Sequence, residues 1–173
     1  MYKRQVKLDI EKQFINQSDQ KFFNDCVELL ITNTKIELPE HFVKKLIIAN
    51  QKEKVNENDI EKEFSQSTKG IKYQLIESKL IEENNIDISS DAVKDYAKEM
   101  VKKQMAMYGQ NKVDDEELNS IVQRVTSNQD ELKRIYSMLL NEKILNVFKN
   151  KMTKKESKVD YKKFIETAYD KNV

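Results

Sequence analysis

Glycine and proline, the two residue types that most often form tight turns, are almost missing from this chain. Its 173 residues include two glycines, Gly70 and Gly109, and one proline, Pro39. Sheet-containing domains need many tight turns, and glycine and proline supply the backbone conformations that those turns require. Their scarcity favours a few long helices joined by short connections. The fold class that it predicts is all-α.

The balance of charged and apolar residues predicts how such helices pack. Charged residues make up 35% of the chain and hydrophobic residues 38%. A chain of this kind cannot fill a large spherical core, but it can bury narrow apolar stripes between helices. We therefore expect an elongated helical body with projecting helical-hairpin arms, in which many helix faces are solvated.

The net charge argues against a nucleic-acid-binding protein. There are 31 Lys and Arg residues against 30 Asp and Glu, which gives a formal net charge of +1. Phosphate neutralisation needs a basic excess on one face. The densest basic stretch, residues 149–158, is interrupted by Met152, Thr153 and Glu156. We interpret it as a solvated helix end, with a nucleic-acid or ribosome contact as the alternative, and we expect no direct nucleic-acid partner.

Cysteine usage and hydropathy suggest a cytoplasmic protein. Cys26 is the single cysteine, so an internal disulfide cannot form. No stretch approaches the roughly 20 apolar residues that span a bilayer, and the charged start Met1–Arg4 is unlike a signal peptide. We expect a cytoplasmic location and no membrane partner. The uncapped start reads like that of a fragment of a longer protein.

Apolar periodicity and capping residues predict seven helices and no strand. The first spans about Val6 to Thr34, with Ser18-Asp19 as a candidate break and an apolar stripe that includes Phe14, Ile15 and Cys26. Gly70 marks a candidate bend or break within the third helix. The later helices are predicted to begin at Pro39, Asn56, Ser89, Asp114, Asn128 and Asp160.

No set of residues suggests catalysis, a metal site or a cofactor site. His41 is the single histidine, and one imidazole without a positioned partner defines no acid–base site. Cys26 lies on an apolar stripe, where core packing is a better interpretation than a reactive thiol. Two separated glycines cannot form a phosphate-binding loop. We therefore expect no cofactor and no enzymatic activity.

Two features suggest binding of apolar partners. Methionine is flexible and polarizable, so the run of Met100, Met105, Met107 and Tyr108 indicates either helix packing or a surface that accepts varied partners. Residues 132–148 are apolar on several faces and are either central to the body, which we favour, or line a groove. The candidate client-binding residues are Met105, Met107, Tyr108, Ile121 and Val122 near one hairpin, and Met152 after the long helix.

Four short stretches carry a family resemblance. They are IELPEHF at 36–42, GIKYQLI at 70–76, NIDIS at 85–89 and KVDYKKF at 158–164. In this order and spacing, residues 6–168 resemble the C-terminal, substrate-binding part of bacterial trigger factor, in its Bacteroidetes-type form. Gly70 and Tyr73 depart from the pattern, because the family has a larger apolar residue and a Trp there.

The resemblance implies a fold and a function. It implies a SurA-like helical body with two arms, arranged as one substrate-binding domain over 1–173, with a leading helix over 1–35 and the body and arms over 36–173. It implies ATP-independent holding of unfolded or nascent polypeptides, and self-association into a homodimer is compatible with it. The ribosome-binding and prolyl-isomerase domains of the family are not in this sequence, so we expect neither isomerase activity nor direct ribosome contact. The alternative is a helical scaffold or tether with one dedicated folded partner.

Overall fold

A computed structural model of the chain describes residues 2–50, 57–110 and 114–169, and these residues form helices and connections without a strand. The all-α prediction is therefore confirmed. The helices are α1 (Tyr2–Asn33), α2 (Glu40–Asn50), α3 (Glu57–Glu83), α4 (Ser90–Met107), α5 (Asp115–Ser127), α6 (Gln129–Lys151) and α7 (Tyr161–Tyr169). The predicted cap at Asn56 lies outside the described residues. In the part of the chain that is described, no helix is long and apolar enough to cross a membrane.

Two candidate breaks are absent from the described helices. α1 continues through Ser18-Asp19, and the next turn carries an ion pair between Lys21 and Asp25, four residues apart, at 2.8 Å. α3 continues through Gly70, where nothing lies within 4 Å of an added Cβ atom. Cap-forming or flexible residues permit a helix to end, but they do not end it when the turns on both sides favour the helix.

Side-chain caps define the starts of three helices. Ser89 Oγ accepts a hydrogen bond from Ala92 N at 3.3 Å, and Asp160 Oδ1 accepts one from Lys163 N at 2.9 Å. Asn128 Oδ1 accepts from the first-turn backbone N–H groups at 2.9 and 3.2 Å. Asp114 precedes α5 without a side-chain cap bond. The predicted starts of α4, α6 and α7 are thus confirmed, and each helix begins at the side-chain cap that predicted it.

Two residues in the left-handed conformation end helices. Asn85, with φ of 48°, follows α3, and Gly109, with φ of 81°, follows α4. Asparagine and glycine tolerate this conformation better than other residues, so the helical hydrogen-bond pattern ends next to them. Pro39 lies immediately before α2, and its carbonyl accepts from Phe42 N and Val43 N at 2.9 and 3.0 Å. It therefore precedes the first helical residue, one position earlier than predicted.

The chain divides into two compact units. We call Leu80–Lys151 the central unit, and the segments up to Lys79 and from Met152 onward the terminal unit. Within the central unit, α4, α5 and α6 pack against one another. Their shared core consists of Val93, Ala97, Leu118, Val122, Ile135 and Leu139. The grouping of residues 1–173 as one functional domain stays a prediction.

α6 buries two different sides. Ile135 and Leu139 belong to the core shared with α4 and α5. Leu140, Ile144 and Phe148 are equally buried but lie outside that cluster. Successive helical residues are rotated by about 100°, so the second set is centred about 160° from the first. The interpretation of residues 132–148 as a central packing element is therefore supported.

The terminal unit buries fewer apolar side chains. Among its described residues, the buried ones are Cys26, Val43, Ile47 and Ile76. α1 buries Cys26 but exposes Phe14, Ile15 and Leu29, so the apolar stripe predicted on α1 is not a continuous buried face. Phe14 and Ile15 are adjacent in sequence and cannot both lie on one narrow helix face.

Lys44 connects α2 to α3. Its ammonium pairs with Glu40 on its own helix at 2.7 Å and with Glu61 on α3, and it lies 5.0 Å from the centre of the Phe64 ring. The hydrogen bonds that its ammonium donates to the two carboxylates raise the pKa of Lys44. One cation thus meets two carboxylates and one ring face, and these contacts join α2 to α3.

Candidate functional site

The end of α4 exposes two large apolar side chains. Met107 is 86% exposed and Tyr108 is 80% exposed. Tyr108 N and Gln110 N both donate to Met105 O at 3.0 Å, and Gly109 N donates to Ala106 O at 3.1 Å. These bonds satisfy the carbonyls of Met105 and Ala106 in the last turn of α4, where the backbone leaves the helix while both side chains stay in solvent. We call Met105, Met107 and Tyr108 the α4 tip.

The other predicted residues of the same hairpin have different environments. Met105 and Ile121 are half-buried. Val122 is 4% exposed and belongs to the core of the central unit, so the expectation that it is available at the surface is wrong. Leu118 and Val122 are four residues apart and form the face of α5 that packs inward, which turns Ile121 to the edge of that face.

Met152, the sixth predicted residue, belongs to the terminal unit. It is half-buried and follows α6 directly. The α4 tip, in contrast, belongs to the central unit. The predicted residues therefore divide between two units, and each unit has to be considered as a binding surface of its own.

A second apolar surface, which sequence analysis did not propose as a binding surface, lies in the terminal unit. The rings of Phe14 and Tyr161 are tilted by 50° with centroids 5.4 Å apart, yet Phe14 remains 37% and Tyr161 59% exposed. Ile10 lies one helical turn before Phe14, Val159 lies two residues before Tyr161, and both are exposed. We call Ile10, Phe14, Val159 and Tyr161 the α1–α7 surface.

One feature of the sequence could have predicted the exposure of the α1–α7 surface. Val159 and Tyr161 stand in a lysine-rich stretch with few other apolar residues. An aromatic residue in so charged a setting has few apolar neighbours in sequence with which to form a core, and this pattern is typical of partial exposure.

A cleft of about 600 Å³ also lies in the terminal unit, between α1, α3 and α7. Its apolar lining comes from Val27, Ile31 and Ala168, and its rim includes the Lys21–Asp25 ion pair. The remaining lining residues are Asn24, Glu28, Thr32, Lys69 and Thr167. The cleft therefore has both apolar and charged walls.

Metal-ligating side chains and the single cysteine are two kinds of chemical group among the described residues. Three or more His, Cys, Asp or Glu side chains never come together as a metal site in the described part of the chain. Cys26 is 5% exposed, and burial followed by the charge of Asp25 raises the pKa of its thiol. A buried, protonated thiol is a packing residue, which confirms the interpretation of Cys26 as part of the core.

Comparison with known proteins gives one match. No curated protein and no solved structure matches the chain. Among protein-family models, residues 18–167 match the family described as "Probable trigger factor, C-terminal domain". The match runs from the middle of α1 to the last turn of α7, and it therefore includes the α4 tip and every lining residue of the cleft except Ala168.

Proposed function

The chain belongs to the trigger factor C-terminal domain family, and from this premise we propose that it is an ATP-independent chaperone module that holds unfolded or nascent polypeptides. The single observation that carries the proposal is the exposure of Met107 and Tyr108 at the end of α4. A large apolar side chain left in solvent by a well-capped turn is available to a partner. In this family, the natural partner is an unfolded chain.

The chemistry of the α4 tip suits varied clients. Methionine has three rotatable bonds and a polarizable sulfur, so it adapts to apolar partners of different shape. Tyrosine adds a rigid ring with a polar end that tolerates water. Full burial of one such side chain contributes about 1.5–3 kcal/mol, so partial burial of two gives contacts that are weak and reversible. A holding chaperone needs this weakness in order to release its client.

The α1–α7 surface gives the terminal unit a site of the same character. Phe14 and Tyr161 already contact each other, which restricts their rotamers before a client arrives. Less side-chain entropy is then lost on binding. Two separate apolar surfaces would allow one long unfolded chain to bind at two points, and each added contact raises the overall affinity.

The first experiment measures aggregation of a chemically unfolded model protein, with and without the chain, in the absence of ATP. We expect suppression that rises with dose. Circular dichroism on the same sample shows whether the chain is folded. A folded chain that neither binds the unfolded protein nor delays its aggregation would contradict the proposal and favour the scaffold with one dedicated folded partner.

A double variant tests the α4 tip itself. Met107→Ser with Tyr108→Ser should weaken client binding roughly tenfold, because about 1.4 kcal/mol of apolar contact is lost. Helicity should remain, since both side chains are exposed. The matched control is Leu29→Ser with Leu75→Ser, which removes two exposed apolar side chains from the terminal unit. Equal weakening by both pairs would show general apolar adhesion and would reject the tip as a site.

Location in the cytoplasm and pairing of two copies stay predictions within this proposal. Size-exclusion chromatography with light scattering at several concentrations tests whether two copies pair. A monomer at all concentrations would reject a homodimer and would leave the proposed client binding unaffected.

A further inference from the structure

Positive charge is concentrated at one place in the terminal unit. Residues 152–163, which we call the basic segment, contain Lys154, Lys155, Lys158, Lys162 and Lys163 against two acidic residues, Glu156 and Asp160. The segment therefore has a formal charge of +3, while the whole chain has +1, so the remaining residues sum to −2. A nearly neutral protein thus carries a local cationic surface.

Three lysines of the segment lack a paired carboxylate among the described residues. Lys154, Lys155 and Lys158 are exposed and form no ion pair with a carboxylate in the described ranges. Asp160 Oδ1 accepts from Lys163 N, so this acid is engaged by the start of α7. The contact between Phe14 and Tyr161 brings α1 next to the segment. Residues 10–18 of α1 contain one Glu and one Lys, so they add no net charge there.

The same segment carries exposed apolar groups. Val159 is 41% exposed, and Tyr161 extends the apolar area onto Phe14 of α1. Lys158 and Lys162 flank these two residues in sequence. An apolar partner that covers Val159 and Tyr161 therefore brings its own flanking residues close to lysine ammonium groups.

We propose that the basic segment selects, among unfolded polypeptides, those whose apolar stretch is flanked by Asp or Glu. This inference rests on the proposed chaperone function and adds a substrate class to it. Opposite charges at the rim of an apolar contact attract, and like charges repel, so the same lysines that favour acidic flanks disfavour basic ones. Selection by exposed charges is sensitive to salt, because the Debye length falls from about 10 Å at 0.1 M to about 3 Å at 1 M.

The test uses the full chain and three labelled peptides in fluorescence anisotropy. All three contain one apolar core, and the flanks are runs of Asp, Ser or Lys. We expect the Asp-flanked peptide to bind about tenfold more tightly than the Lys-flanked one at low salt, because several exposed ion pairs of modest strength add together. The difference should shrink strongly when salt is raised to about 1 M.

A charge-reversal variant tests whether the lysines of the basic segment cause the peptide preference. Lys154→Glu, Lys155→Glu and Lys158→Glu together should invert the order of the Asp-flanked and Lys-flanked peptides. The matched control, Lys35→Glu, Lys45→Glu and Lys133→Glu, changes net charge by the same amount at exposed positions outside the segment. It should keep the wild-type order. Inversion by the control as well would overturn the proposal, because overall charge would then explain the preference.

The remaining outcomes separate this inference from the proposed function. If all three peptides bind with equal affinity, the inference is overturned and the chaperone function stands. If no peptide binds, both are overturned. The last measurement is the binding of a labelled single-stranded oligonucleotide. If it binds through the three lysines while the peptides do not, the segment is a nucleic-acid contact and not a client-selecting surface.

Discussion

At the scale of single residues, two short polar side chains organise the start of α4. Asp87 Oδ1 accepts a hydrogen bond from Ser89 N at 2.9 Å, and Ser89 in turn caps the helix. The hydrogen bonds with Ser89, and then the positive charge of Lys143, hold the pKa of the Asp87 carboxyl below its usual value. The ionised carboxylate therefore favours the folded state.

The stability of the chain should respond to Asp87 in acid. A carboxyl whose pKa is lowered by folding contributes stability above its unfolded pKa of about 3.9, and this contribution is lost as the pH falls through the lower folded value. Asp87→Asn removes that titration. The Tm difference between wild type and variant should therefore be larger at about pH 6 than at about pH 3. A difference that stays constant over this range would contradict the role of the charge.

The two glycines should respond oppositely to alanine. Gly70 lies within α3 with open space around its Cα, so Gly70→Ala should stabilise the chain by up to about 1 kcal/mol. Gly109 has φ of 81°, so Gly109→Ala should destabilise it by about 1–2 kcal/mol. Urea unfolding measures both. A gain at Gly109, or a loss at Gly70, would contradict the helix boundaries described above.

At the scale of secondary-structure elements, α6 differs from the other helices because it buries residues on two sides. Its first half completes the core with α4 and α5 through Ile135 and Leu139, and its second half buries Leu140, Ile144 and Phe148. A helix with two buried sides has little surface that can change without cost.

Truncation within α6 should reveal this constraint. Ile144 is fully buried, so Ile144→Ala should cost about 2–5 kcal/mol in the free energy of unfolding. Met138, on the same helix, is 38% exposed, and Met138→Ala is the matched control with an expected cost below about 1 kcal/mol. Chemical denaturation measures both. Similar costs for the two variants would reject the second buried side.

The sequence predicted where helices begin better than it predicted which side chains are exposed. Ser89, Asn128 and Asp160 act through local hydrogen bonds, so their positions predict helix starts without knowledge of the fold. Burial depends on which helices meet, and this is a tertiary property. Ile121 and Val122 are adjacent and both apolar, and only the packing of α5 against α4 and α6 decides that Val122 is the buried one.

At the scale of the whole molecule, the two units differ in buried apolar content. In the described residues, the central unit buries nine hydrophobic side chains and the terminal unit four, although the terminal unit spans more of the chain. Since apolar burial is the main favourable contribution to folding, the terminal unit should be the less stable of the two. It also carries the cleft and the α1–α7 surface.

Hydrogen exchange followed by mass spectrometry should resolve this difference. As urea is added, amides of α1 and α2 should lose protection at lower concentration than amides of α4, α5 and α6, because local opening exposes fewer apolar groups there. The control is exchange at zero denaturant, which gives the starting protection of each helix. Loss of protection in all helices at one urea concentration would contradict independent stabilities.

The two buried sides of α6 also limit how the length of this helix can change in related proteins. Inserting one residue between Leu139 and Leu140 would rotate everything after it by about 100° and carry Ile144 and Phe148 away from their buried positions. Inserting seven residues, about two turns, would restore the orientation to within about 20°. Insertions and deletions in this helix should therefore occur as whole turns or not at all, while the connections at either end can vary residue by residue.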